Sequence, residues 1–93
     1  MIQSFSDSLT KKVFEGRTPK GFPQDILRRS VVKLDQLHSA AVLDDLCLPP
    51  SNRLECLQGD RKGQYCIRIN NQWRICFRWA EGNAHDVEIT DYH

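Results

Sequence analysis

Residues 65–79, Tyr65-Cys66-Ile67-Arg68-Ile69-Asn70-Asn71-Gln72-Trp73-Arg74-Ile75-Cys76-Phe77-Arg78-Trp79, decide the fold. Tyr65, Ile67 and Ile69 alternate with Cys66 and Arg68, and Trp73, Ile75, Phe77 and Trp79 alternate with Arg74, Cys76 and Arg78. A period of two marks strands with one buried face. Directly opposed residues of an antiparallel pair point to the same side of a sheet, so parity sets the register. A two-residue loop would set Arg68 against Trp73. A three-residue loop, Asn70-Asn71-Gln72, instead pairs Ile69 with Trp73, Arg68 with Arg74, Ile67 with Ile75, Cys66 with Cys76 and Tyr65 with Phe77. Asparagine tolerates the positive φ that such loops require.

The same reasoning on the last strand, through a three-residue loop Glu81-Gly82-Asn83, matches Phe77 with Val87, Ile75 with Ile89, Arg78 with Asp86 and Arg74 with Thr90. The second face of the sheet is then polar and cationic, centred on Arg74. Two opposed arginines repel by tenths of a kcal/mol, so an anion is expected between Arg68 and Arg74. The final residues, Asp91-Tyr92-His93, run past that pair.

Upstream, residues 1–5 suit a short strand, and Ser6, Asp7 or Ser8 can cap a helix whose Leu9 and Val13 share a face before Gly16 ends it. From Gln24 to about Ala41, Leu27, Val31, Leu34, His38 and Ala41 recur at helical spacing, giving a second helix with His38 assigned to packing or surface. Residues 42–46 add one turn, and Leu48-Pro49-Pro50-Ser51-Asn52 stops it. Everything after Asn52 reads as sheet. Glu55 is ambiguous, because Leu54, Cys56 and Leu57 cannot all face the core of a regular strand. A bulge near Gln58-Gly59-Asp60 would resolve the conflict; otherwise Glu55 pairs with Arg53 or Lys62 at the rim. The arrangement is one α+β domain, residues 1–93.

At 93 residues the chain buries only about 60–65% of the surface its unfolded form exposes, enough for one core. No basic segment followed by an apolar run opens it, and no stretch approaches about 18 apolar residues, so a soluble cytoplasmic protein without a membrane partner is expected. Cys47, Cys56, Cys66 and Cys76 lie nine or ten residues apart, without the C-x-x-C spacing of zinc sites, and read as reduced, semi-buried thiols.

The net charge of +1 hides an uneven distribution. Residues 53–78 carry Arg53, Arg61, Lys62, Arg68, Arg74 and Arg78 against Glu55 and Asp60, whereas residues 79–93 carry Glu81, Asp86, Glu88 and Asp91. Screening confines electrostatics to about 10 Å, so a local basic patch holds phosphates whatever the total. Cleaving RNA without a metal uses the neighbouring 2′-hydroxyl as nucleophile, and needs a base, cations for the phosphorane charge and an acid for the 5′-oxygen. His93 titrates in the right range. Arg68 and Arg74 offer planar donors matched to phosphate, with Arg78, Lys62 and Arg61 as further cations. Tyr92 can stack on a base or donate a hydrogen bond, and Glu55 or Asp91 can supply a second acid–base group. No cofactor is expected. A zinc site from Asp91, His93, Glu55 or Glu88 is the weaker alternative.

Residues 52–65 (Asn52-Arg53-Leu54-Glu55-Cys56-Leu57-Gln58-Gly59-Asp60-Arg61-Lys62-Gly63-Gln64-Tyr65), continued by residues 67–77 and by Val87-Glu88-Ile89-Thr90-Asp91-Tyr92-His93, closely resemble HigB-type toxins of the RelE superfamily. The likeness includes the opening Ile2-x-Ser4-Phe5 and the two-helix spacing, so it covers almost the whole chain. It implies two N-terminal helices packed on a curved antiparallel sheet, and a ribosome-dependent mRNA endonuclease of a type II toxin–antitoxin system. The implied partners are a helix-turn-helix, HigA-like antitoxin and the ribosome with its mRNA, with the free toxin a monomer. By the same resemblance, Asp91-Tyr92-His93 matches the family's active-site end and Arg74 its phosphate-binding arginine. Some relatives place a histidine where Glu55 stands, so the second acid–base group is a carboxylate, another residue or absent. The competing functions are a ParE-type gyrase inhibitor, which needs no acid–base pair, and a noncatalytic RNA-binding module.

Overall fold

The structure, a computed structural model, describes residues 1–91; Tyr92 and His93 lie outside the described residues. Two helices, α1 (Ser8–Phe14) and α2 (Gln24–Ser39), precede a four-stranded antiparallel sheet of β1 (Glu55–Cys56), β2 (Tyr65–Arg68), β3 (Trp73–Ala80) and β4 (Asn83–Asp91), in the order β1-β2-β3-β4. Asp7 caps α1, its carboxylate accepting from the Thr10 N–H at 2.9 Å, and Gly16 closes that segment at φ 88°.

The β2–β3 pairing has the expected register, with Tyr65 opposite Phe77, Cys66 opposite Cys76, Ile67 opposite Ile75 and Arg68 opposite Arg74. The Ile69 N–H donates to Trp73 O at 2.9 Å. The Asn70 carboxamide organises the turn, accepting from the N–H groups of both Gln72 and Trp73 at 2.8 Å.

The β3–β4 hairpin corrects the expected three-residue loop and the opposition of Arg78 to Asp86. The loop has two residues, Glu81 and Gly82, at φ 53° and 77°, and Ala80 pairs with Asn83, Trp79 with Ala84 and Arg78 with His85. A two-residue turn with positive φ at both positions matches the twist of its strands. A bulge then adds one residue to β4 near Asp86, at φ 52°, so Ile75 meets Ile89 and Arg74 meets Thr90 as the sequence indicates.

Inward residues of both layers form the core. Val13 of α1 and Ile26, Leu34 and Leu37 of α2 pack with Ile67, Ile75, Phe77, Val87 and Ile89 of the sheet. Burying each such side chain contributes about 1.5–3 kcal/mol. The buried stripe of α2 is Ile26, Ser30, Leu34 and Leu37, rotated from the expected one, with Leu27 and Val31 on its border. Ser30 fits because its hydroxyl donates to Ile26 O at 2.8 Å. His38 is a packing residue: Nδ1 accepts from the Ile2 N–H at 3.1 Å and its ring lies 5.2 Å from that of Phe14.

The outer edge of β4 is covered rather than left as a template. Residues 1–6 run parallel to it through bridges from Ile2 to Ala84 and from Phe5 to Val87. Beyond them, the Thr10 hydroxyl accepts from the Ile89 N–H at 2.9 Å. Between α2 and β1, short 3₁₀ turns at Leu43–Cys47 and Pro50–Asn52 surround the fully buried Asn52. Its carboxamide donates to Leu46 O at 3.1 Å and Leu48 O at 3.2 Å and accepts from the Lys33 ammonium.

Candidate active site

The polar face of the sheet carries two cross-strand rows. Glu55, Cys66, Cys76 and Glu88 form one, and Arg68, Arg74 and Thr90 the other, each opposed in register. Side chains from both rows, with Leu57, Gln58 and Asp60 at the rim, line an open cleft of about 530 Å³. The expected bulge at Gln58-Gly59-Asp60 is instead a 3₁₀ turn at Gly59–Arg61, and β1 is only two residues long. That short strand nevertheless settles Glu55. It faces the same side as Cys66, and Oε1 lies 3.5 Å from Nη1 of Arg74, not on Arg53 or Lys62.

Arg74 is therefore the centre of the cleft. Its side chain is only 15% exposed, and Nη1 also lies 3.5 Å from Cys66 Sγ, so the guanidinium lies over the thiol row and reaches Glu55. The anion expected between Arg68 and Arg74 is partly supplied by Glu55. Arg68 turns the other way, with Nε donating to Asn70 O at 3.1 Å and a terminal nitrogen donating to the Asn71 carboxamide.

The remaining candidates divide. Arg61 lines the cleft but is engaged: Nη1 meets Glu88 Oε1 at 2.6 Å and Gln64 Oε1 at 3.1 Å, and the Glu88 hydrogen bond holds its pKa above the ordinary value. Asp91 lines the cleft, yet its register partner is Trp73, so it belongs to the opposite parity from Arg74. Its carboxylate accepts from the Gln72 side chain at 3.1 Å. Thr90, rather than Asp91, stands beside Arg74. Arg78 pairs with Asp86 at 3.4 Å, and neither it, Arg68 nor Lys62 lines the cleft. Tyr92 and His93, the outermost members of the expected tail, lie outside the described residues.

Cys66 and Cys76 were not expected in the site, although the strand alternation placed them on the polar face. Both are buried, whereas Cys47 and Cys56 are exposed, so the four are not uniformly semi-buried. Alternation from the hydrogen-bonded Ile69–Trp73 position makes Cys66 and Cys76 a pair without ladder hydrogen bonds, with Cα atoms about 4.5 Å apart. Burial pushes the Cys76 thiol up to about 11 and raises Cys66 too, although Arg74 opposes the rise at Cys66. The cleft floor is thus two neutral thiols, with the Arg74 guanidinium and the Glu55 carboxylate beside it. Among the described residues, no group of three or more His, Cys, Asp or Glu side chains is placed to hold a metal ion.

A guanidinium and a carboxylate 3.5 Å apart over a floor of neutral thiols can bind a phosphate and accept a proton at adjacent points. The wider comparisons agree with the fold that builds this cleft. The family described as the RelE-like toxin of type II toxin–antitoxin system HigB matches residues 3–93. Toxin HigB-1 of Vibrio cholerae is 35% identical over 90% of both chains, and Endoribonuclease HigB of Proteus vulgaris is 32% identical over the full length of both. Among solved structures, a YafQ mutant from E. coli superposes with a TM-score of 0.63 over 98% of this chain and 93% of its own. YoeB, crystallised with YefM from Staphylococcus aureus, superposes with a TM-score of 0.60 over 100% of this chain and 98% of its own. At 14% identity both show a shared fold. On the family match and the two relatives above 30% identity, the chain belongs to the HigB-like family, the RelE-like toxins of type II toxin–antitoxin systems.

Proposed function

We propose that this toxin is a metal-independent endoribonuclease that cuts mRNA on translating ribosomes and so inhibits translation and growth. The observation that carries the reading is the Arg74–Glu55 pair, 3.5 Å apart in a cleft large enough for a nucleotide. The relative named Endoribonuclease HigB gives the reaction class its independent support.

In this mechanism the scissile phosphate lies against the Arg74 guanidinium, whose two-pronged donors match phosphate oxygens. Arg74 neutralises the negative charge that grows on the phosphorane as the adjacent 2′-hydroxyl attacks, a contribution worth about 10²- to 10³-fold per donor in comparable sites. Glu55 accepts the 2′-hydroxyl proton. The chain's end supplies the acid that protonates the departing 5′-oxygen, a role assigned to His93, with Tyr92 stacking on a base. Asp91, held by Gln72, positions that end rather than transferring protons. The reaction leaves a 2′,3′-cyclic phosphate and a free 5′-hydroxyl. Arg61 is a cleft wall whose charge Glu88 already balances. A helix-turn-helix antitoxin of the HigA kind is the proposed partner in restraint, in keeping with the family and with the YefM-bound relative.

Inducible expression of the full chain and of a chain ending at Asp91, with transcript ends mapped on translating ribosomes, tests the proposal. New ends should appear with the full chain and vanish with the shortened one. Equal growth arrest by both with no new ends would contradict it, and DNA breaks in their place would indicate a gyrase inhibitor.

A further inference from the structure

We propose that the groove between α2 and the β2–β3 hairpin binds the phosphodiester backbone of single-stranded RNA flanking the cut bond. The inference rests on the endonuclease reading and extends it to how the substrate is held. The groove, about 680 Å³, is lined by Arg28, Arg29 and Lys33 of α2 and by Arg68 and Asn70 of the hairpin. It opens beside the cleft, because Arg68 is the direct register partner of Arg74.

The two cavities differ in how their cations are held. In the cleft, Arg74 and Arg61 each meet a carboxylate. In the groove, none of the four cations forms an ion pair among the described residues, although Asp25 shares the lining. Three of them are held in place by neutral acceptors instead. Arg29 donates to Ile69 O at 3.4 Å, Lys33 to the Asn52 carboxamide and Arg68 to Asn70 O at 3.1 Å. Burial, and secondarily the neighbouring Arg29, depress the Lys33 pKa below the ordinary lysine value. Three cations fixed by carbonyl oxygens, with no ion pair among the described residues, are poised for a polyanion. Val32 and Ile69 are the only apolar residues in the lining, and the rest are charged or polar, a composition suited to a backbone recognised through its charge.

The test measures binding of uncut 2′-O-methyl oligonucleotides of about 4 and about 12 nucleotides at several salt concentrations. Three proteins are compared: wild type, Arg28→Gln/Arg29→Gln and Asp25→Asn. Wild type should hold the longer strand more tightly and with the steeper salt dependence. The double substitution should lower the slope of log K against log salt for the longer strand by about 1.4, or about 0.7 per lost phosphate contact. It should leave the shorter strand unaffected, while Asp25→Asn should tighten the longer one. Indistinguishable binding by all three proteins would overturn the proposal. So would tighter binding of an acidic peptide of matched charge, lost in the double substitution, which would make the groove a protein site. Cleavage of ribosome-bound mRNA by wild type is assayed in parallel. Cleavage without length-dependent differences refutes the groove alone, and absence of cleavage refutes the nuclease while leaving the oligonucleotide binding readable.

Discussion

The two faces of one sheet are built on different principles. Inward, Ile67, Ile75, Phe77, Val87 and Ile89 meet α1 and α2, and what matters is volume. Outward, Glu55, Arg74, Arg61 and Glu88 form pairs in which single atoms matter, over the closed thiols Cys66 and Cys76. Because strands alternate, each strand serves both faces with adjacent residues: Ile75 packs the core while Arg74 and Cys76, on either side of it, face the cleft. Substitutions one position apart should therefore fail in different ways, one by unfolding the chain and the other by disabling a folded one.

The largest expected effect lies on the inner face. Phe77 is fully buried between Tyr65 and Trp79, and Phe77→Ala should cost about 3–5 kcal/mol in urea denaturation with an unchanged m-value. A loss below about 1 kcal/mol would break the distinction between the faces.

The outer face has its own stability signal, and pH reveals it. The Cys76 pKa is raised to about 11 in the folded chain, so its contribution is complete below the unfolded thiol value of about 9 and is lost as pH rises towards 11. Wild type should lose up to about 3 kcal/mol from this group across that window. Because other groups titrate there as well, the measurement is the difference between the wild-type and Cys76→Ala stability curves. Parallel curves would show that the thiol floor is open to water.

A smaller effect belongs to neither face. Asn52 joins α2 to the connection before β1, and Asn52→Ala strands the buried Leu46 carbonyl and removes a partner of the Leu48 carbonyl, which should cost about 1–3 kcal/mol by thermal or denaturant unfolding. Smallest of all, Arg78→Ala removes an exposed pair with Asp86 and should change stability by less than about 1 kcal/mol. A larger loss would mean that the rim, and not only the core, holds the hairpin.

The sequence was most legible where alternation was unbroken. Parity alone placed Arg68 opposite Arg74 and Cys66 opposite Cys76, because one residue of slip would have turned Ile67 and Ile75 out of the core. Between β3 and β4, Ile75 pairs with Ile89 as parity requires, although the loop is not the expected one. The turn is one residue shorter than expected and the bulge at Asp86 one residue longer, and the two shifts cancel. Glu81 and Asp86 both adopt positive φ without being glycine, which composition does not advertise. On α2, the sequence favours Leu27 and Val31 over Ile26 and Ser30, since a serine that satisfies itself on the preceding turn looks polar. In the site, Arg74 was legible from the pattern. Glu55 was legible as a candidate but not in its facing, which depends on a two-residue strand whose signal is its pairing with β2. The groove cations of α2 are not legible in the sequence, because a basic helical face usually belongs to solvent and only their juxtaposition with Arg68 distinguishes them.

The proposal of an RNA-cleaving site centred on Arg74 is tested most directly by its removal. Single-turnover cleavage of ribosome-bound mRNA by Arg74→Ala should be slower than wild type by about 10²- to 10³-fold, while the unfolding midpoint stays within a few degrees. Cleavage at the wild-type rate by the folded variant would contradict it.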